Sequence, residues 1–151
     1  DARPITELTL ADFDRTVDIN VRAVFAFTRA ALAHMPDGGR IITIGSNLAQ
    51  RVPWPGLSLY SLSKAALIGF TKGLARDLGP RAISVSIVHP GSTATDMNPD
   101  SGELADLQRS TMAIPRYNDP AEVASLVAWL AGPEGRGVTG AEFTIDAGTN
   151  A

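Results

Sequence analysis

Apolar positions recur at helical spacing through residues 11–35, where Phe13, Val17, Val21, Val24, Phe25, Thr28, Ala31 and Leu32 share one face. Thr9-Leu10-Ala11-Asp12 ahead of them has the form of a capping box, with Thr9 as N-cap and Asp12 three residues on. The pattern predicts one long amphipathic helix, stopped by the turn sequence Pro36-Asp37-Gly38-Gly39. Asn20 interrupts the apolar face, and its simplest reading is a hydrogen bond to a neighbouring helix. The period then changes. Arg40-Ile41-Ile42-Thr43-Ile44-Gly45-Ser46 is a nearly continuous β-branched run, as expected of a buried parallel strand.

The loop Val52-Pro53-Trp54-Pro55-Gly56 leads into a second helical pattern that carries Leu67, Phe70, Leu74 and Leu78 and stops at Gly79-Pro80. Its small residues Ala65, Ala66 and Gly69 leave room for another helix to approach. Residues 82–88 read as a second strand, ending in His89-Pro90-Gly91. His89 is expected at a turn or a core edge, with no partner that can be named. Periodicity weakens over residues 92–118, where a short amphipathic stretch at 104–112 sits in a long loop. Such a loop suggests a lid, here over about residues 97–116. Asp119-Pro120-Ala121-Glu122 opens a well-signalled helix to Ala131, and residues 141–145 form a last strand. The alternation of helices and strands predicts an α/β fold, a single domain with a parallel sheet covered by helices.

Composition narrows the function classes. The 151 residues are 44% hydrophobic and 19% charged, with a net charge of −3, so no broad electrostatic case exists for a nucleic acid polymer or an anionic membrane. No apolar run approaches the length of a membrane span. The lack of cysteine removes thiol nucleophiles and cysteine metal sites, and accords with a cytoplasmic location. With only His34 and His89, far apart in sequence, no metal site is expected.

The chemistry concentrates in Tyr60-Ser61-Leu62-Ser63-Lys64. Residues four apart share a helix face. A lysine ammonium beside a phenol favours the phenolate and makes a proton-transfer pair. Ser46 precedes Tyr60 by fourteen positions, at the carboxyl end of a predicted strand, where ligands bind in open parallel sheets. Asn47 competes with Ser46 for that position. Gly135-Arg136-Gly137-Val138-Thr139-Gly140 matches the spelling of a dinucleotide-binding turn, but a helix precedes it and a strand follows. That is the reverse of the context in which a helix N-terminus meets a pyrophosphate.

The ordered set of Asp18-Ile19-Asn20-Val21, Gly39 through Ser46, Tyr60 to Lys64 followed by Ala65-Ala66, Pro90-Gly91 with Thr95-Asp96-Met97, and Val138-Thr139-Gly140 before Ile145-Asp146 resembles the short-chain dehydrogenase/reductase family, of the 3-oxoacyl-acyl-carrier-protein reductase kind. The resemblance covers only the family's C-terminal, catalytic part. It implies a Rossmann-type doubly wound parallel sheet without its first strands and glycine-rich nucleotide loop. It also implies NADP or NAD as cofactor, NADP being preferred, and a small carbonyl or alcohol substrate. Tyr60 would be the general acid or base, and Lys64 would lower its pKa and hold the nicotinamide ribose. Ser46 would bind the substrate oxygen, and Asn20 would position a water in the proton relay. Pro90, Gly91, Thr93 and Thr95 would line the nicotinamide end. A homo-oligomer, dimer or tetramer, is expected. Further similarity, in Met35 through Arg40, Asn98-Pro99, Met112-Ala113-Ile114 and Ala128 through Glu134, is to the cyclic-di-GMP-binding biofilm-dispersal branch of the family.

Overall fold

The structure, a computed structural model, describes residues 2–151. Its centre is a three-stranded parallel sheet in the order β1 (Arg40–Ile44), β2 (Ser84–Pro90), β3 (Ala141–Ile145). Register pairs Ile41 with Val85 and Thr43 with Ile87 on one side of β2, and Val88 with Phe143 and His89 with Thr144 on the other. Every β2 residue from Ser84 to His89 is buried, which is what the β-branched run of a central parallel strand requires.

Helices cover both faces. Helix α3 (Ser58–Leu78) packs Ala75 and Leu78 onto Ile83 and Val85, and Leu32 and Met35 of the preceding helical segment close the same cluster. Helix α5 (Pro120–Ala131) lies across the opposite face, where Trp129 meets Phe143 edge-on at 6.3 Å. Both capping boxes form as their spacing predicts, Thr9 with Asp12 and Asp119 with Glu122. The long segment after β2 carries helix α4 (Glu103–Arg109), shorter than the predicted stretch, over its own small core of Ala105, Met112 and Tyr117.

Two boundaries differ from the sequence expectation. The long first helix is divided into α1 (Leu10–Val17) and α2 (Ala23–Leu32) by a π-helical turn at Asp18–Arg22, where the Ala23 N–H reaches back to Asp18 O. A single wide turn shifts the face without breaking the apolar rhythm, so periodicity does not reveal it. The second strand begins two residues late, because Ala82 adopts a left-handed conformation (φ 53°) to close the turn Gly79–Arg81, and it continues through His89 to Pro90.

Candidate active site

The carboxyl ends of β1 and β2 open on one cleft of about 460 Å³, lined by Ser46, Tyr60, Pro90, Gly91, Thr93 and Thr95 among others. Ser46 follows β1 directly and is buried. Its Oγ accepts the Leu48 N–H at 3.2 Å, capping the short helical turn Asn47–Ala49. A hydroxyl that accepts there keeps its own proton for another acceptor. Asn47 is engaged elsewhere: its Nδ2 donates to Asp146 Oδ2 at 3.4 Å, and its carbonyl accepts from Asn150 Nδ2 at 2.9 Å. Both residues line the cleft; the Asn47 amide is tied to Asp146, whereas the Ser46 hydroxyl proton has no acceptor among the described residues.

Tyr60 enters the cleft from the first turns of α3. Lys64, one turn on, places Nζ 5.7 Å from the centre of the Tyr60 ring, so the predicted shared face is formed. Among the described residues the Lys64 ammonium has no hydrogen bond or ion pair beyond this ring contact. Its burial lowers its pKa by penalising the charged form.

Asn20 sits in the π-helical turn and does not line this cleft. It shares a second opening of about 380 Å³ with Tyr60, Leu59 and Asp12. Its Nδ2 donates to Ser63 Oγ at 3.0 Å, and Ser63 Oγ donates to the Tyr60 carbonyl at 2.7 Å. The interhelix hydrogen bond expected of Asn20 is thus present. Its acceptor, the fully buried Ser63, ties it to the backbone that carries Tyr60.

Pro90-Gly91 turns the chain out of the sheet. Gly91 packs so closely on Asp146 that an added Cβ would lie 2.5 Å from the Asp146 Cβ. Thr93 donates its hydroxyl to the Gly91 carbonyl at 3.0 Å, and Thr95 exchanges backbone hydrogen bonds with Asn98. The segment expected as a lid is tied down by Gln108 of α4, whose Oε1 accepts from Ser92 Oγ at 2.5 Å and Tyr117 Oη at 2.8 Å. Sequence reasoning missed Gln108 and Ser63; the available signal was only their place on helical faces. It also misplaced His89, which lies in the sheet interior with no exposed surface, under the Ser46 peptide. The reversed glycine motif holds no phosphate cradle: Pro133–Gly137 is a short helical turn, and the Gly140 N–H is spent on Val85 O at 2.7 Å, leading into β3.

A family model described as enoyl-(acyl carrier protein) reductase matches residues 1–150. A cyclic-di-GMP-binding biofilm dispersal mediator protein of Escherichia coli is 49% identical over 93% of this chain, which spans 59% of that relative. A short-chain dehydrogenase of Burkholderia cenocepacia, solved with NADP, is 58% identical with a TM-score of 0.97 over the whole chain, which covers 62% of it. A dehydrogenase/reductase of Sinorhizobium meliloti is 63% identical with a TM-score of 0.97, covering 99% of this chain and 60% of that one. The chain thus spans about three fifths of the proteins it matches, and its three strands and their helices are part of a Rossmann fold. It belongs to the short-chain dehydrogenase/reductase family.

Proposed function

We propose that these residues form the catalytic part of an NADP(H)-dependent carbonyl reductase, which in the reverse direction oxidises an alcohol. The observation that carries this reading is the single cleft that joins Ser46 and Tyr60 to the Pro90–Gly91 turn, with Lys64 half-buried beside Tyr60. A half-buried ammonium without a hydrogen-bond acceptor fits a ribose hydroxyl. Pro90, Gly91, Thr93 and Thr95 line the same cleft and would hold the nicotinamide end of the cofactor. The Burkholderia cenocepacia relative, solved with NADP, supports that choice of cofactor. When bound, the nicotinamide supplies the hydride.

The chain's own residues do the rest. Reduction develops negative charge on the substrate oxygen, which needs donors already in place. Ser46 donates its free hydroxyl proton to that oxygen, and Tyr60 transfers the proton that completes the alcohol. The Lys64 ammonium, 5.7 Å from the centre of the Tyr60 ring, faces the negative charge that this transfer leaves behind. Asn20 and Ser63 hold the turn of α3 that presents Tyr60, and from there Asn20 would position a water of the proton relay. Among the described residues none that lines the cleft is charged, and Trp54, Pro53, Leu48, Leu57 and Met97 supply apolar wall. The cleft therefore suits an uncharged ketone.

The test is NADPH oxidation with a panel of ketones by the full gene product and its Tyr60→Phe variant. Turnover is expected in the first and a loss of roughly 10²–10⁴-fold in the second. Turnover indifferent to Tyr60 would defeat the reading. A second reading, binding of cyclic di-GMP, is favoured by the 49% identity to the biofilm dispersal protein. A ligand with two phosphates seeks cations or clustered backbone N–H groups, and the described residues that line the cleft include no cation. Calorimetric binding of cyclic di-GMP by a protein inert toward ketones would establish that alternative.

A further inference from the structure

The buried His89 has no part in the roles above, although it touches the strand end from which Ser46 projects. Its Nδ1 lies 2.9 Å from Ser46 O and 3.2 Å from Ser46 N. The sheet explains why a side chain performs this task. Gly45 donates its N–H to Val88 O at 2.7 Å, and two residues after Val88 the chain reaches Pro90, which has no N–H to continue the ladder. The imidazole of the intervening residue meets the Ser46 peptide instead. Position 45 is glycine for the same reason: a Cβ there would stand 2.5 Å from His89 Nδ1 and 3.0 Å from Ile87 Cδ1.

The far side of the ring is also engaged. Nε2 is buried, makes no well-angled hydrogen bond, and faces Glu142 Oε2 of β3 at 3.4 Å. Glu142 is held by Lys72 of α3 at 2.7 Å and by Gln50 Nε2 at 3.3 Å, and Gln50 in turn accepts from Thr144 Oγ1 at 3.0 Å. The charged groups facing the ring are thus Glu142, with Lys72 behind it, and Lys64, earlier on α3. A neutral ring carrying its proton on Nε2 turns that N–H toward Glu142 and accepts the Ser46 N–H on Nδ1.

We propose that His89 is the positioning residue for Ser46, and that Glu142, Lys72 and Gln50 brace it. The proposal rests on the role given to Ser46 above. The ring fixes the Ser46 peptide, and so the direction in which the hydroxyl meets the substrate oxygen, without touching substrate itself. Because burial lowers the His89 pKa, the neutral form dominates at neutral pH. Protonation at lower pH turns Nδ1 from acceptor to donor and transfers its bond from Ser46 N–H to Ser46 C=O.

The test is a double-mutant cycle in the full gene product with Ser46→Ala, His89→Leu, both together, and His89→Gln. His89→Leu is expected to lower kcat roughly tenfold or more with the KM for NADPH unchanged. Adding it to Ser46→Ala should cost little further, since both act through one hydroxyl. His89→Gln, whose amide can still reach the Ser46 peptide, should restore most of the loss. Fully additive losses, or a silent His89→Leu beside a damaging Ser46→Ala, overturn the His89 role alone. A silent Ser46→Ala removes the serine role and the proposal with it. Should His89→Leu fail to fold, the wild-type protein decides by NMR: the Ser46 amide resonance should titrate with the His89 ring, at a midpoint below the ordinary 6.5. An amide signal that stays flat while the ring titrates overturns the proposal.

Discussion

At the residue scale the site depends on close contacts that tolerate little change. Gly45→Ala would drive a methyl group into a ring that has no room to retreat, since His89 and Ile87 are both fully buried. Overpacking of this kind costs about 1–3 kcal/mol, readable as a lower urea midpoint, and turnover should fall with it. His89 also gives stability a pH signature. Its folded pKa lies below 6.5, so the unfolded chain binds a proton that the folded chain resists. Stability should be full above about 6.5 and decline as pH falls from there toward the lower folded value, and His89→Gln should flatten that part of the profile. Ser46, Tyr60 and Lys64 were legible because strand-end position and four-residue spacing are written in one dimension. His89 and Gln108 were not. Their partners lie across the sheet or, for Gln108, at Ser92 and Tyr117 on either side of α4, and nothing in their neighbouring residues points there.

At the scale of elements, caps and strands read clearly while insertions did not. Asp119 caps α5 by accepting the Ala121 N–H at 2.8 Å, so Asp119→Ala should cost about 1 kcal/mol in thermal or urea unfolding. Glu122 closes that capping box and grips Arg116 through two hydrogen bonds of 2.7 Å, which together hold its pKa down at about 2. Its contribution is present above about 4.5 and is lost as pH falls toward about 2, so α5 should begin to fray from its N-terminus in that window. Amide exchange at Ala121 and Glu122 would report it. The π-helical turn at Asp18–Arg22 escaped the sequence because it adds to the helix without altering its apolar rhythm. It nevertheless sets Asn20 against Ser63, and Asn20→Ala should cost about 1 kcal/mol by removing that hydrogen bond.

At the scale of the molecule, two surfaces are open. Strand β1 pairs only with β2 among the described residues, and Ile44 remains 46% exposed. The outer face of the helices shows Ile19, Phe27 and Leu62, with Ala65, Ala66 and Gly69 also exposed; an added Cβ at Gly69 would meet nothing. Sequence identified those small residues as room for a neighbour, and none of the described residues takes it up. An unpaired edge and an apolar helical face both favour association. These 151 residues alone should therefore form dimers, tetramers or larger species in light scattering, and a monodisperse monomer would contradict that expectation.

The central claim is that Tyr60 completes a reduction whose hydride comes from NADPH. The most direct measurement supplies the full gene product with NADPH deuterated at the transferable position and an uncharged ketone, then locates the label by mass spectrometry. The prediction is deuterium on the carbinol carbon of the product, formed by the wild-type protein and nearly absent with Tyr60→Phe. Alcohol without the label, or labelled alcohol formed equally well by both proteins, would contradict it.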